Sequence, residues 1–291
     1  MFKERSRAIK ILFHNLIPTL LSDPKFFFKR VFLELKSTFV PLPQSPLIKE
    51  INGIKFEFDF NYCSHVKRFY FGTYEARLVR ILKTFLKEGD TFIDVGANIG
   101  YITAVAAGCV GKKGAVHSFE PIPEYFQKIK KIAEMNKGYK IIVNPFAIGD
   151  EEGKIKIYIS SQIGCDTVIS AKADGKNFLE VPVKRLDNYI IENKIHNIKI
   201  IKIDVEGFEF PVLKGLEEYF LKCRDNNFYP LVLCEIHPDW LPLVGSSLQN
   251  VFEYMAKFSY YPFDIIKLKR RISISEVERE PLINVAFKFC G

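Results

Sequence analysis

No C-x-x-C pair occurs among the six cysteines of the chain. Cys63, Cys109, Cys165, Cys223, Cys234 and Cys290 stand apart, mostly beside apolar residues, as reduced core thiols do. That excludes the common structural zinc spacings and points to a reducing compartment. Nor is there an apolar run approaching the roughly 18 to 20 residues that span a bilayer, and Met1–Lys10 lacks the continuous apolar segment of a signal peptide. A cytoplasmic protein is expected. Internal repeats and low-complexity tracts are also missing, so most of the length is expected to fold.

What is present is ordinary globular composition. Hydrophobic residues make up 48% and charged residues 26% of 291 positions, which suits one large domain or one domain with an appendage. The formal charge of +8 and the pI near 9.0 favour acidic partners, whether nucleic acid, an anionic membrane face or a phosphorylated substrate, without choosing among them.

The segment up to about Lys36 is basic and aromatic. Ile9, Leu12, Phe13, Leu16, Ile17 and Leu20 recur at helical spacing, with Pro18 kinking or ending the run. Asp23-Pro24 then supplies an N-cap and a first-turn proline for a second helix, which carries Phe28, Val31, Phe32 and Leu35 on one face. Over residues 1–36, the eight cations Lys3, Arg5, Arg7, Lys10, Lys25, Lys29, Arg30 and Lys36 outnumber Glu4, Asp23 and Glu34, leaving +5 by subtraction. Such helices either lie on an anionic membrane face or pack on the rest of the protein. A proline-rich linker, Pro41-Leu42-Pro43-Gln44-Ser45-Pro46, then sets the boundary between an appendage at 1–46 and a main domain at 47–291.

Asn52-Gly53 offers a tight hairpin turn, and Ile54, Phe56, Phe58 and Phe60 alternate as one strand face, giving a small β element. Tyr74, Leu78, Ile81, Leu82 and Phe85 form a helical stripe that ends near Gly89. Strands at 91–95, 115–119, 140–144, 198–203 and 230–235 then alternate with helices near 99–109, 123–136, 210–221 and 247–257. Short, almost wholly apolar strands in such alternation mean a parallel sheet covered on both faces, a doubly wound, Rossmann-like α/β fold. The stretch Lys154–Val183 inserts two further strand-like segments, KIKIYIS and VPV. Tyr261–Lys267 and Asn284–Phe289 read as a closing hairpin.

In such a sheet, ligands bind outside the carboxyl ends of the strands. At the first strand stands FIDVGANIG, where Gly96 and Gly100 allow a tight strand-to-helix turn and close backbone approach to a ligand. Asp94, two residues before the first glycine, argues against a pyrophosphate, because a carboxylate there repels the charge that a helix N-terminus attracts. The third glycine of G-x-G-x-x-G is also missing, which makes an NAD-dependent oxidoreductase the weaker reading. S-adenosylmethionine, with a sulfonium, an ammonium and no phosphate, fits Asp94 either directly or through water. Glu120, directly after AVHSF, can take both hydroxyls of a ribose.

These residues belong to five ordered blocks: FIDVGANIGYIT at 92–103, SFEP at 118–121, AIGDEEG at 147–153, VKRLDNYI at 183–190 and IKIDVEGFEFPVLKG at 201–215. Together they resemble the FkbM-type methyltransferases of the class I fold, over roughly residues 51–237. The resemblance implies a seven-stranded sheet with its last strand antiparallel. It also implies cofactor contacts for Asp94, Gly96, Asn98, Gly100, Tyr101 and Glu120, with Ala147 to Asp150 near the adenine.

Two further clusters lie at strand ends. In Asp204-Val205-Glu206-Gly207, Asp204 is a candidate for the methionine amino group, and Glu206 for orienting an acceptor hydroxyl or helping to hold a metal. In Cys234-Glu235-Ile236-His237-Pro238, His237 is the candidate general base, with Glu235 orienting its ring or binding metal. A divalent metal stays open as a cofactor. The expected reaction is methyl transfer from S-adenosylmethionine to a hydroxyl of a sugar, a lipid-linked glycan or another secondary metabolite. The alternatives are an RNA methyltransferase and a non-catalytic membrane-surface module that binds the cofactor. Because DVEG stands where many amino-methylating enzymes carry an Asn-Pro-Pro-Tyr-like tetrapeptide, nucleic acid is the less favoured partner. A cytoplasmic location with a peripheral contact at the inner membrane face would suit a lipid-linked acceptor.

Overall fold

The computed structural model describes residues 20, 23–160, 167–169, 177–265, 268–280 and 282–291. The helix expected from Ile9 to Leu20 and the cations from Lys3 to Lys10 lie outside the described residues, Leu20 excepted. The chain divides into two compact units, one of residues 1–49 and 57–76, the other of residues 50–56 and 77–291.

In the smaller unit, helix α1 (Pro24–Phe39) starts as expected: the Asp23 carboxylate accepts a hydrogen bond from Phe26 N at 3.0 Å, and Pro24 occupies the first turn. The hairpin strands β1 (Leu47–Ile51) and β2 (Ile54–Phe58) turn at Asn52-Gly53, both with positive φ, and residues 50–56 of the hairpin count with the larger unit. Helix α2 (Ser64–Phe71), absent from the sequence reading, ends at Gly72, whose φ of +69° provides a left-handed cap. Where the sequence boundary fell at residue 46, this unit takes in residues 57–76 as well. The reason is aromatic: Phe58 and Phe60 both pack edge-on to Tyr70 on α2, at 5.4 Å between ring centres.

The larger unit carries helix α3 (Ala76–Phe85) and a seven-stranded sheet. Its first three strands are β3 (Thr91–Val95), β4 (Ala115–Phe119) and β5 (Lys140–Asn144), followed across an insertion by β9 (Ile198–Ile203) and β10 (Leu231–Ile236). All five are parallel. Last come β11 (Tyr260–Asp264) and β12 (Ile283–Phe289), in the spatial order β11-β12-β10-β9-β3-β4-β5. The final strand β12 is antiparallel to both neighbours, so β11 runs with the parallel set; the two pair as the expected closing hairpin, with helix α10 (Ile274–Val277) in the connection between them. The strands are buried on both faces, as their apolar sequences require: Phe92, Ile93, Ile198, Ile200, Ile201, Ile203 and Val232 have no exposed surface.

The connecting helices are α4 (Tyr101–Val110), α5 (Pro123–Met135), α6 (Leu186–Glu192), α7 (Glu209–Lys214), α8 (Glu217–Asn226) and α9 (Leu248–Ala256). The single helix expected over 210–221 is two. At the break, a Cβ on Gly215 would lie 2.1 Å from the carbonyl oxygen of Gly149, so a close crossing of two chain segments interrupts the helix. The Asp187 carboxylate then accepts from Glu218 N at 3.2 Å and caps the new start. The insertion forms a separate three-stranded sheet of β6 (Ala147–Ile148), β8 (Phe178–Lys184) and β7 (Gly153–Tyr158), with both strand-like segments in place.

Candidate functional site

From β3 the chain proceeds outward through β4 and β5, then returns so that β9 lies on the other side of β3. This reversal opens a crevice at the carboxyl ends of β3 and β9, where a doubly wound sheet binds its ligand. The loop Gly96 to Gly100 leaves β3 there. Gly96 and Ala97 both donate their backbone N–H to Phe119 O at 3.1 Å, and Gly100 donates to Ala97 O. Gly96 has φ +76°, and a Cβ on it would stand 1.8 Å from Asp204 O, so the loops after β3 and β9 touch through a position that only glycine fits. Asn98 takes the left-handed conformation, with φ +51°. Gly100, also left-handed, caps α4 close to Ile132, and Tyr101 follows it, buried, edge-on to Phe56.

Under this loop lies an ionic cluster that the sequence reading did not foresee. Asp94, proposed there as a direct or water-mediated partner of the cofactor, has no exposed surface. Its Oδ2 accepts from the Thr103 hydroxyl at 2.7 Å, and its Oδ1 lies 3.5 Å from the Lys202 ammonium. Asp94 and Lys202 are register partners on β3 and β9. Lys202 also lies 3.1 Å from Asp204 Oδ2 and donates to Gly96 O at 2.8 Å. In this geometry Asp94 braces the loop through Lys202. Burial pushes the Asp94 carboxyl up from its ordinary range, opposed by Lys202 and Thr103. Burial pulls Lys202 down, but Asp204 and Asp94 outweigh it, and the ammonium is held above its usual value. A lysine inside the apolar strand IKIIKI was the available signal, because a buried cation requires a buried partner.

Glu120, 5% exposed, ends β4. Its Oε2 accepts from Asn98 N at 2.8 Å and its Oε1 from Ile122 N at 2.9 Å, which ties the glycine loop to the start of α5. A carboxylate oxygen accepts more than one hydrogen bond, so these contacts are compatible with a hydroxyl donor at the same group. Ala147 sits on β6, paired with Val183. The Asp150 side chain is committed to an ion pair with Lys214, and its carbonyl accepts from Arg185 at 2.7 Å.

The ends of β9 and β10 bring the second cluster together. Glu206 has φ +51° and Gly207 φ +99°. Glu206 Oε2 lies 3.3 Å and Glu235 Oε1 4.0 Å from His237 Nε2. The His237 ring stacks on Trp240, with centroids 4.2 Å apart. Beneath them Glu209, also unforeseen, accepts from Gly207 N at 2.9 Å, and its burial pushes its carboxyl up to about 7. Burial raises Glu206; it would lower His237, but Glu206 outweighs it and the imidazole rises above its ordinary value. Asp204 keeps 29% of its side chain exposed beside Lys202. Among the described residues, the groupings of three or more possible metal ligands reduce to Glu206, Glu235 and His237.

The family described as "Methyltransferase FkbM domain" matches residues 94–262, more than half of the chain and spanning both clusters. The chain belongs to the FkbM methyltransferase family. It is an S-adenosylmethionine-dependent methyltransferase. It is 25% identical over 194 residues to the hexuronic acid methyltransferase AglP of Haloferax volcanii, covering 67% of this chain and 75% of that protein. It is 28% identical over 163 residues to the 31-O-demethyl-FK506 methyltransferase FkbM of Streptomyces tacrolimicus, covering 46% of this chain and 62% of that protein. The solved FkbM methyltransferase of Methylobacillus flagellatus superposes with a TM-score of 0.45 at 16% identity, over 77% of this chain and 54% of its own; the family assignment does not rest on it.

The donor set fits the cofactor of the FkbM family. A pinched two-glycine loop, the Glu120 carboxylate at the end of β4 and the partly exposed Asp204 carboxylate offer oxygen acceptors to hydroxyl and ammonium groups. Replacing Glu120 by Ala is expected to weaken S-adenosylhomocysteine binding by about 1–3 kcal/mol, the range for a lost charged hydrogen bond. Titration calorimetry measures it, and unchanged affinity would remove Glu120 from the site.

Proposed function

We propose that this FkbM-family enzyme methylates a hydroxyl oxygen of a sugar or lipid-linked glycan. The observation that carries the reading is the grouping of Glu206, Glu235 and His237 at the carboxyl ends of β9 and β10, next in the sheet to the glycine loop of β3. When bound, S-adenosylmethionine supplies a methyl group already activated on a positively charged sulfur. The acceptor oxygen gives up its proton as it takes that methyl, and the cluster offers an imidazole to receive the proton and carboxylates to orient the hydroxyl. The names of the hexuronic acid and 31-O-demethyl relatives support a sugar acceptor and an oxygen. The test is incubation with labelled S-adenosylmethionine and cell extract, followed by fractionation. Label in glycan or lipid is expected; label in RNA would overturn the reading.

The lipid-linked acceptor has support from α1. Phe28, Phe32, Leu35 and Phe39 are 63%, 64%, 54% and 78% exposed, at helical spacing along one face. Lys25, Lys29 and Lys36 are exposed beside them. Such a face suits an anionic membrane surface, with apolar rings among acyl chains and each cation contributing about 1 kcal/mol near the headgroups. Among the described residues no helix is long and apolar enough to cross a membrane. The full chain is expected to co-sediment with phosphatidylserine-containing vesicles and not with neutral ones, less so at high salt. Phe28→Asp combined with Phe32→Asp should abolish this without changing the melting temperature, and co-sedimentation that survives the double substitution would discard the assignment.

A further inference from the structure

We propose that Glu206, Glu235 and His237 form a binding site for a divalent first-row metal ion of the Mn2+ type. The three side chains come from the ends of adjacent strands, and one possible ligand atom from each lies within 4.8 Å of the others. An ion bonded to nitrogen and oxygen at about 2.0–2.2 Å places its ligands up to about 4.3 Å apart. The 3.3 Å and 4.0 Å separations from His237 Nε2 already lie inside that limit, and a side-chain adjustment of about 0.5 Å accommodates the third pair.

A second observation points to a ligand independently of the carboxylates. His237 is 8% exposed, and its Nε2 is buried without an aligned hydrogen bond, although Glu206 stands beside it. An imidazole nitrogen so placed, beside two carboxylates and without an aligned partner, is positioned to serve as a metal ligand in its neutral form. The nearby Lys202 ammonium is engaged with Asp94, Asp204 and Gly96.

The supporting contacts are those that orient metal ligands. Asn284, the register partner of Glu235 on β12, donates to its Oε2 at 3.0 Å, which leaves Oε1 as the oxygen nearer His237. Trp240 fixes the plane of the imidazole by stacking. Thr167 donates its hydroxyl to Glu206 O at 2.6 Å and holds the left-handed turn that presents the Glu206 carboxylate. Two carboxylate oxygens with one nitrogen suit an oxygen-preferring first-row divalent ion such as Mn2+, and three protein ligands leave positions for an outside oxygen. An ion held there would take Nε2 as a ligand and would make a bound acceptor hydroxyl more acidic, with its proton passing to solvent.

This deepens the reading of the same site, yet whether an ion binds does not depend on methyl transfer. The test is Mn2+ binding to the full chain, without substrate, followed by loss of the free Mn2+ paramagnetic resonance signal. Stoichiometric binding is expected, weakened at least about tenfold in Glu206→Gln, Glu235→Gln and His237→Gln. Glu235→Gln retains an acceptor for Asn284, and unchanged S-adenosylhomocysteine affinity certifies its fold. No binding by the parent protein, or binding indifferent to all three substitutions, overturns the proposal. Turnover in chelator is read separately: with no Mn2+ binding, persistent transfer leaves the methyltransferase reading standing and the metal site discarded.

Discussion

Lys202→Met is expected to lower the unfolding free energy at pH 7 by about 3–5 kcal/mol, the cost of removing one partner from a buried ion pair. Lys202 is the cation nearest to Asp94 in a cluster where that carboxylate has no exposed surface. Without the ammonium, Asp94 either stays charged in a nonpolar setting or takes up a proton. Protonation sets a ceiling, because neutralising a carboxyl of ordinary value 3.8 at pH 7 costs about 4 kcal/mol. The sign of the pH dependence follows. In the variant the folded-state pKa of Asp94 rises far above the unfolded one, so stability is full below the unfolded value and is lost as pH rises. The defect should therefore shrink to under about 2 kcal/mol at pH 5. Adding Asp94→Asn should recover most of the loss at pH 7. Denaturant titrations of the parent, single and double variants measure this, and a defect independent of pH would mean that Asp94 is already neutral in the native protein. Cofactor affinity should fall in the single variant too, since Lys202 also donates to Gly96 O.

That cluster marks where reading the sequence stopped. The strands were legible because each is a short, largely apolar run, and β3, β4, β5 and β9 occupy the expected residues. The loop glycines were legible as a motif, but the need for Gly96 is met by Asp204, a residue 108 positions later whose carbonyl the loop must pass. The division of the helix at Gly215 has the same origin in the distant crossing of Gly149. Local pattern carries no information on such approaches. Asp94 was noticed for its charge and given to the ligand, because the balancing charge lies on another strand; in the fold, Lys202 comes first. The pairing of Glu206 with His237 was different: both were singled out, and the position of each at the carboxyl edge followed from alternation alone.

His237→Ala is expected to reduce kcat by about 10²- to 10⁴-fold while leaving S-adenosylhomocysteine affinity within about twofold, because the imidazole serves the acceptor and not the cofactor. The separation follows from the architecture: the proposed cofactor contacts lie at the ends of β3 and β4 and, with Asp204, at the end of β9, whereas His237 follows the next strand, β10. Glu206→Gln should act in the same direction, since Glu206 is the carboxylate nearest the ring. A merely structural histidine would change the melting temperature and spare turnover of the folded fraction, so both are measured on the same samples. Parent-like kcat for His237→Ala with the true acceptor would remove the histidine from the chemistry and leave proton acceptance to Glu206, whose carboxyl burial raises above its ordinary value.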